Sequence, residues 1–306
     1  MPKAVRFDEY GGVDVLQVLD IEIPDPARGE VQVAVKAAGV NPSEGAIRSG
    51  AVKAIFPATF PSGEGSDLAG VVRAVGKGVE DFLVNDEVLG WSAERSSHAE
   101  LVNVPVGQLI PKPPALGGEE AGGLYVVGVT ALGAARSVDA GPGDTVVVSA
   151  AAGGVGAILC QLLRIRGADV IGIASDSNRG WLESKGVTQV AYGDGLADRI
   201  RAAAPDGVDA FIDLFGPEYL ELAVELGVPT GRIDTIASHA KAMEIGAKTE
   251  GGGEATSAAN LSIMADLVAS GRIEVPIAAT YPLGRVREAY EEVERRHARG
   301  KIVLVP

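Results

Sequence analysis

The chain has few side chains that bind transition metals, with one cysteine and three histidines among its 306 residues. A single thiol, Cys160, excludes an intrachain disulfide, a four-cysteine zinc site and a Cys/His/Cys catalytic zinc site. His98, His239 and His297 are scattered, and only His239 lies near a predicted strand end. We therefore expect no metal site. Cys160 falls in the first turns of a predicted helix, where a buried and unreactive thiol is expected.

Positive charge and long apolar runs are also scarce. The 27 Lys and Arg residues against 41 Asp and Glu residues give a formal charge of −14, which opposes the clustered cations that nucleic-acid binding needs. No apolar run approaches the roughly 18 residues of a membrane helix. The first residues, 1–7, alternate as a strand does and do not resemble a secretion signal. These features predict a soluble, cytoplasmic protein with neither nucleic-acid nor membrane partners.

Length and patterning indicate two domains. Short alternating or β-branched runs punctuated by turn residues fill residues 1–118, whereas strands alternate with helices from Asp144 onward. The second pattern is typical of a parallel sheet with crossover helices. We therefore predict an α/β fold in which a doubly wound Rossmann domain, residues 119–271, is inserted in a β-rich domain made of residues 1–118 and 272–306.

Individual elements follow from the same patterns. The predicted parallel strands are 144–150, 169–175, 189–192, 208–214 and 232–237. The helices between them are predicted to begin near Val155, Asn178, Ala197 and Glu218. A helix over 258–270 is followed by a strand, a helix and a strand at 273–277, 285–296 and 301–305. The glycine-rich segment 248–254 is predicted to be a mobile surface loop.

A glycine-rich turn, Ala-Ala-Gly-Gly-Val-Gly at 151–156, connects the first Rossmann strand to its helix. A dinucleotide pyrophosphate needs backbone N–H groups at a helix N-terminus and no side chains in its path. The spacing departs from the standard three-glycine fingerprint, so the turn alone is compatible with a purely structural role. Its position in a βαβ unit favours a dinucleotide site. The predicted contacts are Ala152, Gly153, Gly154 and Val155.

The type of cofactor is decided at the end of the second Rossmann strand, where NAD-binding proteins place a carboxylate on the ribose. Here Ala174 or Ser175 takes that position, and Ser177 and Arg179 follow. A hydroxyl and a guanidinium suit the extra phosphate of NADPH. Asp176 is the alternative, because a shift of one residue in the strand end would make it the carboxylate that selects NAD. The pattern favours NADPH.

The sequence resembles the zinc-free quinone oxidoreductase and zeta-crystallin branch of the medium-chain dehydrogenase/reductase superfamily. The segments that carry the resemblance are 37–42, 47–50, 65–72, 127–132, 143–164 and 300–304. The resemblance implies a GroES-like fold for the β-rich catalytic domain, NADPH as the cofactor, and a homodimer or tetramer. It also implies hydride transfer to quinones or to alkenes conjugated with a carbonyl.

The resemblance also assigns residues. Asn41 matches the family asparagine near the nicotinamide and Thr130 a threonine of the inner active-site wall, so both are candidates for orienting the nicotinamide or polarising the acceptor. The predicted cluster around the ribose phosphate is Ser175, Arg179 and Tyr192. The residues predicted to line the cofactor groove, just past the fourth and fifth strands, are Phe215, Gly216 and Ser238.

Three residues are candidates for the substrate pocket. Phe56 and Trp91 would suit flat acceptors, with core packing as the alternative. Glu44 is expected to be solvated or paired with Arg48, with a proton relay as the alternative. Many relatives have a tyrosine two positions after the equivalent of Glu44, whereas Ala46 stands there in this chain. We therefore assign no proton donor, and solvent is the expected source.

Three functions are compatible with these features. The first is zinc-independent transfer of hydride from NADPH to quinones or related conjugated carbonyl compounds. The second is reduction of the double bond of an enal, an enone or an enoyl thioester by the same hydride geometry. The third is of another class, an NADPH-binding structural or regulatory protein with little turnover. Measurement of NADPH oxidation with a panel of acceptors would discriminate among them.

Overall fold

The computed structural model describes residues 1–250 and 255–306, so most of the glycine-rich part of the predicted 248–254 loop lies outside the described residues. The strands are β1 Lys3–Phe7, β2 Gln17–Asp20, β3 Glu30–Val40, β4 Ser62–Gly63, β5 Asp67–Val75, β6 Glu87–Trp91, β7 Leu101–Pro105, β8 Leu109–Pro111, β9 Thr145–Val148, β10 Asp169–Ile173, β11 Val187–Val190, β12 Ala210–Asp213, β13 Ile233–Thr235, β14 Ile277–Pro282 and β15 Lys301–Val305. The helices are α1 Pro42–Arg48, α2 Gly118–Gly122, α3 Tyr125–Ser137, α4 Gly154–Ile165, α5 Arg179–Ser184, α6 Leu196–Ala203, α7 Pro217–Glu225, α8 His239–Ile245, α9 Ala258–Ala269 and α10 Val286–Glu294. Over these ranges no helix combines the length and the apolar character that crossing a bilayer requires.

The chain divides into two compact units. The first comprises Met1–Val126, Ser257–Arg272 and Pro276–Pro306, and the second comprises Val127–Thr256 and Ile273–Val275. This division differs from the predicted 119–271 insertion chiefly in α9, which belongs to the first unit because it contacts β8.

The strand predicted over 273–277 is wrong. Residues 273–275 lie in the second unit, and β14 begins only at Ile277. The side-chain amide of Gln161 engages both backbone groups of Glu274, accepting from its N–H at 2.9 Å and donating to its carbonyl at 2.9 Å. These bonds take the place of a strand partner, and Pro276 next to them has no N–H to donate.

The first unit is built on two sheets. The larger has the strand order β14-β15-β3-β5-β6-β8, with β7 also paired to β3, and the smaller has the order β2-β1-β4. The long strand β3 alternates buried and half-buried residues over its first half, with Val31, Val33 and Val35 turned into the core. Its second half is buried almost throughout and ends at Val40. The carboxyl end of β3 therefore places the residues that follow it, beginning with Asn41, in the interior.

The second unit is a five-stranded parallel sheet with the order β11-β10-β9-β12-β13. The structure confirms each predicted Rossmann strand, and helices α4 to α7 begin one residue from their predicted starts. The central strand β9 is fully buried at Val146, Val147 and Val148, as expected for a strand covered on both faces. The strands that follow β9 in sequence, β10 and β11, lie on one side of it, and the later strands β12 and β13 lie on its other side. This is the topological switch point at which open α/β sheets bind ligands.

Candidate functional site

The glycine turn lies where β9 ends and α4 begins. A Cβ atom on Gly156 would lie 2.3 Å from the carbonyl oxygen of Ala150 and 2.8 Å from the Cα of Ala151, so only glycine allows the helix to approach the strand end this closely. Gly153 is the N-cap of α4 in an extended conformation. The first N–H groups of such a helix point outward and carry the positive end of its dipole. The turn therefore has the geometry of a phosphate cradle.

The end of β10 lies two residues earlier than predicted, at Ile173. Ala174 is buried, and the hydroxyls of Ser175 and Ser177 lie 2.8 Å apart. Asp176 is therefore three positions beyond the strand, farther from the ribose-selecting position than the sequence indicated. The strand end itself carries a small apolar side chain and two hydroxyls.

Arg179 begins α5 and its side chain is half exposed. Its guanidinium pairs with Asp176 at 2.8 Å and lies 3.8 Å from a carboxylate oxygen of Glu183. Asp176, the alternative candidate for selecting NAD, is thus an ion-pair partner of Arg179, the residue from which the sequence predicts NADPH. Surface pairs of this kind contribute only about 0–1 kcal/mol, so these carboxylates hold the guanidinium weakly.

The loops after β12 and β13 carry the other predicted groove residues. Phe215 is partly exposed and packs edge-on against Tyr219 at 5.7 Å, while Tyr192, after β11, is more than half exposed. Ser238 is buried, and its hydroxyl has no hydrogen-bond partner within residues 1–250 and 255–306. A buried hydroxyl without a partner is costly unless a ligand satisfies it. The loop therefore fits a polar ligand.

In the first unit, Asn41 follows β3 and caps α1 with its side chain buried. Its Nδ2 donates to Glu44 and to Asp67, each at 3.1 Å, and its Oδ1 accepts from the Lys301 ammonium at 2.6 Å. This amide orientation follows from chemistry, because carboxylates only accept and an ammonium only donates. Both amide hydrogens are committed, so only the carbonyl oxygen of Asn41 has capacity left for a ligand.

Lys301 is a site residue that the sequence analysis did not select. Its side chain is 3% exposed, and its ammonium donates to Asn41, to the backbone carbonyl of Val40 at 3.1 Å and to Asp67 at 3.2 Å. These bonds use all three of its donors. The signal was a lysine at the start of an otherwise apolar strand, Lys-Ile-Val-Leu-Val, inside a segment that carries the family resemblance.

The expectation that Glu44 is solvated or paired with Arg48 is wrong. Glu44 is 1% exposed, and its carboxylate accepts from the backbone N–H of Asn41 at 2.9 Å, the backbone N–H of Ser66 at 2.8 Å and the Tyr290 hydroxyl at 2.9 Å. A carboxylate three residues after an N-cap commonly folds back onto the cap, and here that turns Glu44 inward. The partners of Arg48 are instead Glu64 and Glu294.

His98 is a second residue that the sequence analysis missed. It is fully buried, with Nε2 lying 3.1 Å from the carbonyl oxygen of Gly39 and Nδ1 lying 3.5 Å from the Tyr290 hydroxyl. Burial lowers the pKa of His98, so the ring is neutral and Nε2 carries the proton donated to Gly39. Burial together with Glu44 raises the pKa of Tyr290. The pair therefore adds polarity to the cluster without adding charge.

Glu64 and Arg48 form a buried ion pair beside this cluster. Burial raises the pKa of Glu64 to about 7, because desolvation outweighs the opposing attraction of Arg48, and the nearby Glu44 acts in the same direction as burial. The guanidinium of Arg48 also lies over the Tyr290 ring, 4.3 Å from its centroid. Arg48 thus joins α1 to α10 rather than neutralising Glu44.

The remaining candidates occupy varied surroundings. Thr130 is buried on α3 in the second unit. Trp91 is half-buried and stacks on Tyr125 with ring centroids 4.5 Å apart, whereas Phe56 is 52% exposed. Cys160 is buried, as predicted, and burial raises the pKa of its thiol to about 12. That thiol is therefore protonated and unreactive at neutral pH.

Comparison with known proteins gives matches over nearly the whole chain. Residues 27–114 match the alcohol dehydrogenase GroES-like domain and residues 185–304 match the zinc-binding dehydrogenase family. A probable quinone oxidoreductase of Schizosaccharomyces pombe is 30% identical, covering 98% of this chain and 96% of that protein. The solved quinone oxidoreductase of Pseudomonas syringae pv. Tomato has a TM-score of 0.89 at 28% identity, with all of both chains covered. Escherichia coli quinone oxidoreductase complexed with NADPH has a TM-score of 0.82 at 25% identity, over 99% of this chain and 100% of that one.

The parallel Rossmann sheet, the GroES-like unit and these full-length matches agree with one another. The chain belongs to the quinone oxidoreductase and zeta-crystallin-like family of the medium-chain dehydrogenase/reductase superfamily. An oxidoreductase activity follows from that membership.

Proposed function

We propose that the protein transfers hydride from NADPH to quinones or related conjugated carbonyl compounds without zinc. The observation that carries the proposal is the phosphate cradle at 151–156, where Gly156 leaves room only for a hydrogen atom beside the strand end. The unpartnered Ser238 hydroxyl supports a ligand at the same edge of the sheet. The E. coli relative bound to NADPH supports the choice of cofactor.

Bound NADPH would supply the hydride, and the protein's own residues would hold and orient it. The backbone of residues 152–155 would take the pyrophosphate at the N-terminus of α4. The predicted ribose-phosphate contacts are Ser175, Arg179 and Tyr192, and the predicted groove residues are Phe215, Gly216 and Ser238. Thr130 and Asn41 are the proposed nicotinamide contacts, as the resemblance implies, and Asn41 has only its carbonyl oxygen to offer.

The acceptor oxygen gains negative charge as hydride arrives, so the site must supply polarity or a proton. Asn41 cannot donate, because both of its amide hydrogens are bound to carboxylates. Glu44 already accepts hydrogen bonds at both carboxylate oxygens, and we therefore give it the role of holding Asn41 rather than touching substrate. The proton comes from solvent, and Trp91 and Phe56 remain the proposed walls of the acceptor pocket.

The matched family named for zinc raises the question of whether this chain can hold that metal. Asn41 Oδ1 and Asp67 Oδ2 both accept from the Lys301 ammonium, at 2.6 and 3.2 Å, so a cation already occupies the place next to these two oxygens. The single cysteine is buried in α4. Over the described ranges, His, Cys, Asp and Glu side chains form no group of three or more able to hold a metal. The donor set does not fit zinc, which supports a zinc-independent reaction.

The proposal is tested by measuring NADPH oxidation with ortho- and para-quinones, enals, enones and enoyl thioesters, each with and without a chelator. We expect turnover with quinones, and we expect the chelator to leave its rate unchanged. Turnover confined to enals, enones or thioesters would instead support the double-bond reductase. Binding of NADPH with no oxidation of any acceptor would support a structural or regulatory role. The homodimer and the cytoplasmic location stay predictions.

Arg179→Glu is expected to raise the Kd for NADPH by about tenfold or more, because it replaces a charge-assisted phosphate contact with a repulsive carboxylate. The Kd for NADH should change by less than about threefold, since that dinucleotide lacks the extra phosphate. Both constants can be measured by calorimetric titration.

Arg201→Glu is the matched control for Arg179→Glu. Arg201 has the same side-chain exposure, 49%, and also pairs with an aspartate three residues away on its own helix segment, Asp198. It lies on α6, where its second partner is Glu225 of α7, and it is not among the proposed dinucleotide contacts. The Kd values for both dinucleotides should therefore be unchanged. Equal losses of NADPH and NADH binding in Arg179→Glu would refute the NADPH assignment.

A further inference from the structure

Asp213 is the last residue of β12 and is completely buried. One oxygen of its carboxylate accepts from the Ser149 hydroxyl at 2.9 Å and from the backbone N–H groups of Phe215 at 2.9 Å and Gly216 at 3.1 Å. The other oxygen accepts from the Thr235 hydroxyl at 2.7 Å. A single carboxylate therefore ties together the carboxyl ends of β9, β12 and β13.

The two hydroxyls bound by Asp213 in turn accept hydrogen bonds from further backbone N–H groups. The Ser149 oxygen accepts from the N–H of Leu214 at 2.7 Å. The Thr235 oxygen accepts from the N–H groups of Ala237 and Ser238, each at 3.1 Å. Because the Thr235 proton goes to Asp213, both lone pairs of its oxygen face those N–H groups. The turns after β12 and after β13 thus share one anchor.

These two turns carry Phe215, Gly216 and Ser238, which the proposed function places along the dinucleotide. We propose that Asp213 is a positioning residue for the dinucleotide: it sets the two turns that line the groove and aims the unpartnered Ser238 hydroxyl. This inference rests on the proposed function. It adds a residue that contacts no ligand but holds in place the groups that do, by charge-assisted hydrogen bonds in a buried setting.

Asp213→Asn would disturb one side of this arrangement selectively. An asparagine oxygen can still accept from Ser149, Phe215 and Gly216, but its NH2 group then faces the Thr235 oxygen. That oxygen already accepts from Ala237 and Ser238, so a third donor has no lone pair to meet. The 235–238 turn must therefore shift, while the volume of the side chain is unchanged.

The experiment measures the Kd and KM for NADPH, the kcat at saturating NADPH and the thermal midpoint in three variants. We expect Asp213→Asn to raise the Kd and KM by about tenfold and to leave kcat within about threefold. Thr235→Val, which removes only the bridging hydroxyl, should raise the Kd and KM and spare kcat in the same way. It takes the place of Asp213→Asn in the test if that variant does not fold. Hydrogen exchange at the amides of 237 and 238 should be faster in both.

Asp234→Asn is the matched control. Asp234 is an equally buried carboxylate on β13, and it accepts from the backbone N–H of Glu250 at 2.9 Å rather than from the two turns. We expect it to lower the thermal midpoint without raising the Kd for NADPH. An unchanged Kd in both Asp213→Asn and Thr235→Val, or an equal rise in Asp234→Asn, would overturn the inference. A wild-type protein that binds neither NADPH nor NADH would overturn the proposed function and this inference with it.

Discussion

Gly156→Ala is expected to lower the free energy of unfolding by about 3 kcal/mol or more and to raise the Kd for NADPH about 100-fold. The added methyl group would lie 2.3 Å from the carbonyl oxygen of Ala150, a backbone atom that has no rotamer to change. Relief requires α4 to move away from the end of β9, which also moves the N–H groups of the phosphate cradle. Denaturant unfolding and calorimetric titration measure the two effects.

Gly180→Ala is the control for this substitution. Gly180 lies in α5, and a Cβ atom built on it has no neighbour within 4 Å. Alanine has the higher helix propensity, so the change should be neutral or stabilising by up to about 1 kcal/mol. If Gly156→Ala were as stable as Gly180→Ala and bound NADPH normally, the close approach of helix and strand would not be what the cradle requires.

Lys301→Met is expected to lower the free energy of unfolding by about 3–5 kcal/mol, because it leaves the buried carboxylate of Asp67 without its counter-charge. It should also lower kcat, since the Asn41 carbonyl loses the ammonium that fixes the amide orientation. Activity is measured with the acceptor that proves best in the panel. The stability change is measured by denaturant unfolding.

Lys112→Met provides the comparison. Lys112 also combines an ion pair, to Glu87 at 3.2 Å, with a bond to a backbone carbonyl, that of Leu116 at 2.9 Å, but its carboxylate partner is 59% exposed. We expect a loss of about 1 kcal/mol or less, and an unchanged kcat. Adding Asp67→Asn to Lys301→Met should recover part of the stability without restoring kcat. A loss in Lys301→Met no larger than that in Lys112→Met would contradict the role given to the ammonium.

Local patterning was enough to predict the parallel strands of the second unit and the helices between them. Its strands and helices alternate with short connections, and the glycine turn lies within one βαβ unit, so the relevant contacts are close in sequence. The helix starts near Val155 and Glu218 were displaced by only one residue. The prediction of a strand at 273–277 was wrong, because the side-chain amide of Gln161, more than a hundred positions away, hydrogen-bonds to both backbone groups of Glu274.

The polar cluster of the first unit shows the opposite case. Glu44 meets Tyr290 across 246 positions, and Lys301 meets Asn41 across 260. A glutamate in a polar segment, a lysine at a strand start and an isolated histidine each have an ordinary surface interpretation when read locally. Their burial and their partners arise only when β3, β5, α10 and β15 pack together.

The sequence by itself determined the two-part α/β architecture, the glycine turn between β9 and α4 and the family, because these depend on periodicity, on turn chemistry and on short motifs. Only the tertiary structure decided that both amide hydrogens of Asn41 go to carboxylates, that the Lys301 ammonium binds oxygens of Val40, Asn41 and Asp67, and that Asp213 anchors the turns after β12 and β13. The physical reason is that a buried polar group must find partners, and the chain supplies them from distant segments.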